Sequence, residues 1–367
     1  LPSIGRFHEF HGFHFFHDSN KHMMTPDRLE EILAKFPSLR IGILGDFCLD
    51  RYFDIDTSIE EVSLETYRPS HQVVRVRCFP GGAGTVTNNL HALGVGNLFA
   101  IGPVGDDGEA YTLKQRLDAM GVDRENLLPH PDYLTPSYNK PMKMLESGYE
   151  EQDRLDIRSR GPLLPELEQG LIASIEKLFP SLDGLIVLDQ FDERNEHAVT
   201  DKVRGRVEEL AAKAPNKIVF ADSRARIGEF RNMTLKPNEH EAAKALGLSE
   251  APSDLSETQR GGMKLSANCG RPAFVTLGEK GILLCDSEKG AAHPVPGFKV
   301  PPPLDICGAG DSTTSGIVAG LCATASTVEA AILGCLVASI TVQQVGVTGT
   351  ASPEQVLNRL NEYNTAR

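Results

Sequence analysis

Apolar positions recur along the chain with two different periods, and the changes between them mark its elements. Ile41, Ile43 and Leu44 form a short apolar run over 40–46 that ends in Gly45-Asp46, the length of a strand buried on both faces. Runs of similar length cover 184–188, 217–221, 273–277 and 282–285. Between them, apolar residues at helical spacing predict helices near 164–178, 196–212, 240–246 and 256–267. Thr25-Pro26-Asp27 reads as a helix start leading to Ala34, Ser352-Pro353-Glu354 as another, and 331–345 as a helix of small side chains. Strands alternating with helices specify an α/β fold, a doubly wound, mostly parallel sheet flanked by helices.

Two segments break this rhythm. Between 52 and 79 the helical period is absent and 72–77 alternates like a half-exposed strand; 135–156 behaves similarly. Together, about 50–80 and 135–157 predict a small antiparallel β lid, with edge strands of the main sheet as the alternative. Residues 1–25 stand apart as an N-terminal extension, disordered or packed on the surface. Within it His8, His11, His14 and His17 recur every third residue among phenylalanines, candidate ligands for a transition metal. The tract lacks the uninterrupted apolar core of a signal peptide.

The candidate chemistry concentrates at Asp305-Ile306-Cys307-Gly308-Ala309-Gly310-Asp311-Ser312. Pro301-Pro302-Pro303 stops any element running into this stretch, and Ile317, Val318 and Leu321 lie at helical spacing just beyond it. Gly308, Ala309 and Gly310 then stand at a helix N-terminus, where unpaired N–H groups and the helix dipole favour a bound anion. Asp311 would repel that anion unless it faces the group attacking it. Such an arrangement suits phosphoryl transfer: the amides hold the developing charge while Asp311 accepts the proton of an incoming hydroxyl. A first-turn aspartate that stabilises its own helix accounts for the same residue.

Composition narrows the field. Basic residues number 37 against 50 acidic ones, a net charge of −13, which argues against a nucleic-acid or anionic membrane surface. The seven cysteines include no C-x-x-C pair and several lie in apolar runs, as reduced thiols of a cytoplasmic protein do. The longest apolar run, near 330–342, is too short to span a bilayer. No G-x-G-x-x-G opens a helix after the first strand, and no G-x-x-x-x-G-K-[ST] loop occurs.

D-I-C-G-A-G-D-S resembles the C-terminal signature of the ribokinase-like (pfkB) carbohydrate kinases, and other motifs occur in the family's order over 40–367. The resemblance implies that Asp311 is the catalytic base and that Gly308, Ala309 and Gly310 form the anion hole. Asp46 and Asp50, in G-D-F-C-L-D-R-Y, resemble the substrate strand, in a form closest to bacterial heptose-phosphate kinases. Gly81-Gly82-Ala83-Gly84-Thr85 resembles the N-terminal signature, with Thr85 where the family has a sugar-contacting Asn. Asn88 or Asn89 is the candidate to compensate, with Asn89 taken into the substrate set, and Arg154 joins that set from the lid. Asn238 and Glu241 fit P-N-x-x-E, with Glu241 holding Mg²⁺ through water, although the pair is also a capping box by spacing. Thr276, Gly278 and Gly281 resemble the nucleotide-binding turn. Asp189-Gln190-Phe191-Asp192-Glu193-Arg194 departs from the S-D-Y-x-K-G of heptose-phosphate kinases. The resemblance implies ATP and Mg²⁺ and leaves a K⁺ site at Asp305 open, while the apolar face that such a lid exposes predicts a homodimer through it. The expected function is ATP-dependent phosphorylation of a sugar or sugar-phosphate hydroxyl by a kinase unit over 26–367. A nucleoside or small-alcohol kinase of the same fold and a non-catalytic binding protein remain alternatives.

Overall fold

The computed structural model describes residues 24–146, 148–248 and 254–365, so the His-rich tract lies outside the described residues. In chain order the first elements are α1 (Pro26–Leu33), β1 (Arg40–Gly45), β2 (Phe47–Ile55), β3 (Glu61–Val62), β4 (Pro69–Ser70), β5 (Val73–Gly82) and α2 (Ala83–Ala92). Then come β6 (Asn97–Gly105), α3 (Gly108–Ala119), β7 (Asp123–His130), β8 (Ser137–Leu145), β9 (Gly148–Glu151), β10 (Leu155–Ile157) and α4 (Pro165–Leu178). The second half runs β11 (Gly184–Asp189), α5 (Asp201–Lys213), β12 (Ile218–Ser223), β13 (Thr234–Leu235), α6 (Glu239–Ala245), α7 (Leu255–Cys269) and β14 (Ala273–Thr276). It closes with β15 (Gly281–Asp286), β16 (Ala291–Pro296), α8 (Ala309–Cys322), α9 (Thr327–Thr341) and α10 (Pro353–Thr365).

The main sheet has nine strands in the order β16-β15-β14-β13-β12-β11-β1-β6-β7. Neighbours from β14 to β7 are parallel, and β15 and β16 add an antiparallel edge. Both faces are covered, which is why the strands read as continuous apolar runs. Ile41, Ile43, Ile186 and Leu188 point to the side packed by α1, α2, α3, α8, α9 and α10. Leu44, Leu185 and Val187 point to the side packed by α4, α5 and α7. On the first side small residues let helices close in: a Cβ on Gly316 would lie 3.0 Å from the Gly334 Cα, so α8 and α9 cross with almost no side chain between them. Chain order reverses between β1 and β11, the switch point at which open α/β sheets receive ligands beyond the strands' carboxyl ends.

A second sheet, β10-β8-β2-β5 with β9 on β8, grows from the end of β1 and returns through Gly82 into α2. The two expected lid segments do pair. Most ladders are antiparallel, but β2 and β8 run parallel, and the sheet starts at Phe47. One face carries Asp50, Tyr52, Tyr138, Lys140 and Arg77, since Asp50 lies opposite Tyr138 and Phe79, and Tyr52 opposite Lys140 and Arg77.

Several boundaries differ from expectation, for local reasons. α5 starts at Asp201 because Thr200 caps it, its side chain accepting from the Val203 amide, and 190–200 is a loop. α9 starts at Thr327, where Ser326 and Glu329 form a capping box, and ends at Thr341. α3 begins behind Asp107, which accepts from the Ala110 amide; neither it nor β7 is announced by a long apolar period. Among the described residues no helix is long and apolar enough to cross a membrane.

Candidate active site

Beyond the carboxyl ends of β11 and β12 lies a cleft of about 470 Å³ whose wall includes Asp189, Asp222, Lys236, Glu241, Gly310 and Asp311. α8 delivers Asp311 to it. Gly308 caps this helix with φ +76°, in the left-handed region where a side chain is strained, and a Cβ there would meet Thr348 Cγ2 at 3.0 Å. The Ala309 amide donates to the Ile306 carbonyl (3.1 Å), a correction to its expected part in the anion hole. Gly308 and Gly310 keep amides without a backbone partner among the described residues. Burial, with Asp222 nearby, pushes the Asp311 carboxyl up to about 7, against the pull of Lys236 and Arg224. A carboxylate so tuned is half-deprotonated near neutrality, as a general base should be.

Lys236 and Asp222 form the floor. The Lys236 Nζ lies 2.8 Å from Asp222 Oδ2, which also accepts from Thr314 Oγ1 on α8 at 3.2 Å. Burial alone would depress the Lys236 ammonium, but Asp222, with Glu241 and Asp311 beyond, holds it above its ordinary value. Neither residue was assigned a role from the sequence. Lys236 stood inside the Lys236-Pro237-Asn238 motif, and Asp222 ends a strand at the switch-point side, the position where ligand groups are expected.

The nucleotide set gathers on the β12–β15 side. Asn238 and Glu241 are the full capping box: Glu241 donates its amide to Asn238 Oδ1 (2.9 Å), and both Glu241 carboxylate oxygens accept from Asn238 (2.7 and 3.0 Å). Burial, with Asp222 nearby, raises the Glu241 carboxyl to about 7. Because both its oxygens are engaged, a cation would reach Glu241 through water. Thr276 donates its amide to the Pro237 carbonyl (2.9 Å), tying this turn to the motif. Gly278 has φ +59° with open space around it, whereas a Cβ on Gly281 (φ +104°) would fall 2.2 Å from the Val295 carbonyl.

The acceptor set is only partly brought together. Asp50 lies on the inner face of the second sheet, its carboxylate against Gly81, where a Cβ would stand at 3.0 Å. Burial raises its pKa, opposed by Lys140 and Arg154. Gly82 has φ +56° and approaches the Asp46 carbonyl so closely that a Cβ would lie 2.5 Å away. Asp46 itself does not line the cleft: it is 1% exposed, and Oδ1 accepts from the Ala198 amide at 2.9 Å beneath the 190–200 loop. Burial lifts it to about 7. Asn89 corrects another expectation, since it is fully buried and donates Nδ2 to the Thr85 carbonyl (3.0 Å). Thr85 is buried, with Oγ1 3.4 Å from the Pro80 carbonyl. Arg154 forks onto Asp156 (2.7 and 2.8 Å) over the Tyr138 ring, at the sheet's edge. Asp305 accepts from the Cys307 and Gly346 amides, both at 3.0 Å, and so ties the catalytic turn to the loop after α9. All seven cysteines are free. No cluster of three or more His, Cys, Asp or Glu is arranged to hold a metal among the described residues.

Residues 230–355, which contain the cleft's Lys236, Glu241 and Asp311, match the model of the pfkB family carbohydrate kinases. The chain is similar to the pfkB carbohydrate kinases. A bifunctional protein HldE from Caulobacter vibrioides is 29% identical over 331 residues, covering 89% of this chain and 65% of that protein. Its counterpart from Gluconobacter oxydans is 27% identical over 323 residues, covering 88% and 64%. The chain thus spans less than two thirds of these relatives. Among solved structures, an Arabidopsis thaliana ribokinase complexed with ribose and ATP superposes with a TM-score of 0.64 at 16% identity, over 88% of this chain and 98% of that one. Phosphofructokinase-2 from Escherichia coli gives 0.64 at 17%, over 89% and 99%. The fold is therefore ribokinase-like.

Proposed function

We propose that this chain is a carbohydrate kinase that transfers the terminal phosphoryl group of ATP to a hydroxyl of a sugar or sugar phosphate. The observation carrying this is Asp311, a carboxyl held near 7 beside the Gly308 and Gly310 amides, which have no backbone partner among the described residues, at the head of α8. The pfkB match and the HldE relatives support it. Asp311 takes the proton of the acceptor hydroxyl, and the Gly308 and Gly310 amides hold charge that grows on the transferred group. The donor set fits a nucleotide phosphate chain: bare glycine amides, the turn at Gly278 with room beside it, and a cleft rich in carboxylate oxygen. Mg²⁺ would supply charge neutralisation there, held through water by Glu241. The inner face of the second sheet, with Asp50 and Gly81, would seat the acceptor, and its movement over the cleft would exclude water.

We also propose one kinase unit over 26–367 and a homodimer through the lid. Val74, Val76, Leu155 and Ile157 leave apolar surface exposed on that sheet. The free thiols point to a reducing compartment, the cytoplasm. K⁺ belongs at Asp305, whose carboxylate oxygens keep lone pairs beyond the two amide bonds. The test is ADP release from ATP and Mg²⁺ across panels of free sugars, sugar phosphates and nucleosides. Turnover with a sugar class supports the proposal, turnover only with nucleosides moves it to the alternative of the same fold, and none at all refutes it.

A further inference from the structure

The half-buried Lys217 spends its donors on structure: its Nζ donates to the carbonyls of Phe179 (2.8 Å), Pro180 (3.3 Å) and Leu182. Lys236 is different. Its side chain is 6% exposed, yet the ammonium has one partner, Asp222, and its other two N–H bonds have none among the described residues. A buried ion pair with a single carboxylate adds little stability, because desolvating both charges offsets their attraction. The direction in which Nζ is held is the informative part. Thr314 fixes the Asp222 carboxylate against α8, and Asp222 in turn holds Nζ where a Cβ on Gly310 would stand only 3.6 Å from it. Glycine at 310 leaves that approach clear, on the same turn that carries Asp311 into the cleft.

We infer that Lys236 is a further catalytic residue, whose two spare ammonium donors contact the phosphoryl group while it is in transit beside the Gly310 amide. This rests on the kinase proposal above. In that step a bond forms from the acceptor oxygen to phosphorus and the bond from phosphorus to the bridging oxygen breaks, its electron pair leaving with ADP. The acceptor's proton passes to Asp311, and Lys236 stays protonated throughout. An ammonium placed there stabilises charge that is greatest midway through transfer, so it acts on turnover more than on ground-state binding.

The test compares Lys236→Met and Lys236→Arg with the unaltered chain. Arg keeps a cation for Asp222 and so controls for loss of the ion pair, and thermal unfolding of each variant verifies the fold. Binding of ADP with Mg²⁺ is measured with and without aluminium fluoride, which mimics the phosphoryl group in flight. The expected result for Lys236→Met is ADP affinity within about threefold of the unaltered chain, with the extra tightening by aluminium fluoride reduced by about 10²–10³. The kcat should fall by a similar factor while KM for ATP stays within about threefold. Equal weakening of both complexes, or an unchanged kcat, overturns the role of Lys236 alone. If the unaltered chain neither tightens on aluminium fluoride nor phosphorylates any acceptor, the kinase proposal fails and this role falls with it.

Discussion

Replacing Asp311 with Asn should cripple turnover and stabilise the protein, and the two effects share a cause. Among the described residues the Asp311 carboxyl has no side-chain hydrogen bond to lose; burial, Asp222 and Asp50 disfavour its charged form more than Lys236 and Arg224 favour it. A carboxyl whose folded-state pKa is raised binds its proton more tightly folded than unfolded. Its contribution to stability is therefore complete below about 4 and declines as pH climbs towards 7. The span from the ordinary 3.8 to about 7 sets a ceiling of about 4 kcal/mol at neutral pH. Water in the cleft screens part of this, so a gain of about 1–2 kcal/mol is expected for the Asn variant at pH 7.5. The gain should shrink to nothing near pH 4. Removing a general base costs about 10²–10⁴ in rate, or about 3–5 kcal/mol of transition-state stabilisation. Denaturant unfolding at pH 4, 6 and 7.5 measures the first effect, and ADP release the second. For the unaltered chain the rate should rise with pH through about 7, a limb that the variant lacks. An Asn variant that is less stable at pH 7.5, or that turns over at near-normal rate, refutes the assignment.

Three further outcomes are expected. Gly281→Ala should lose about 3 kcal/mol or more in thermal unfolding, because its Cβ would collide with the Val295 carbonyl at φ +104°. Gly278→Ala, with φ +59° and open surroundings, should lose only about 1 kcal/mol; equal losses would undercut the steric argument. Glu241→Gln should raise the Mg²⁺ concentration needed for half-maximal activity about tenfold, and an unchanged titration would remove Glu241 from metal binding. Sedimentation should show a dimer that Val76→Glu converts to monomer, and a monomeric unaltered chain would exclude the lid interface.

Local signals carried most of the architecture. Continuous apolar runs announced β1, β11, β12, β14 and β15 because each is buried on both faces, and Thr25, Asn238 and Ser352 announced helix starts through their caps or their place beside Pro. The parallel pairing of β2 with β8 was not legible, since strand direction depends on how the chain returns through α2, β6, α3 and β7. The same non-locality decided the site. The rule that ligands meet the carboxyl ends of parallel strands points equally to Asp46 after β1, Asp189 in β11 and Asp222 in β12, and sequence cannot rank them. Strand order ranks them. α8 packs on β11 and β12, so its first turn presents Asp311 to Asp222 and Lys236. Asp46, one strand further on at β1, is roofed by the 190–200 loop and bonded to Ala198. Three acids that look alike along the chain thus receive different neighbours, and of them it is Asp222 that, paired with the buried Lys236, lies beneath Asp311 and the bare glycine turn.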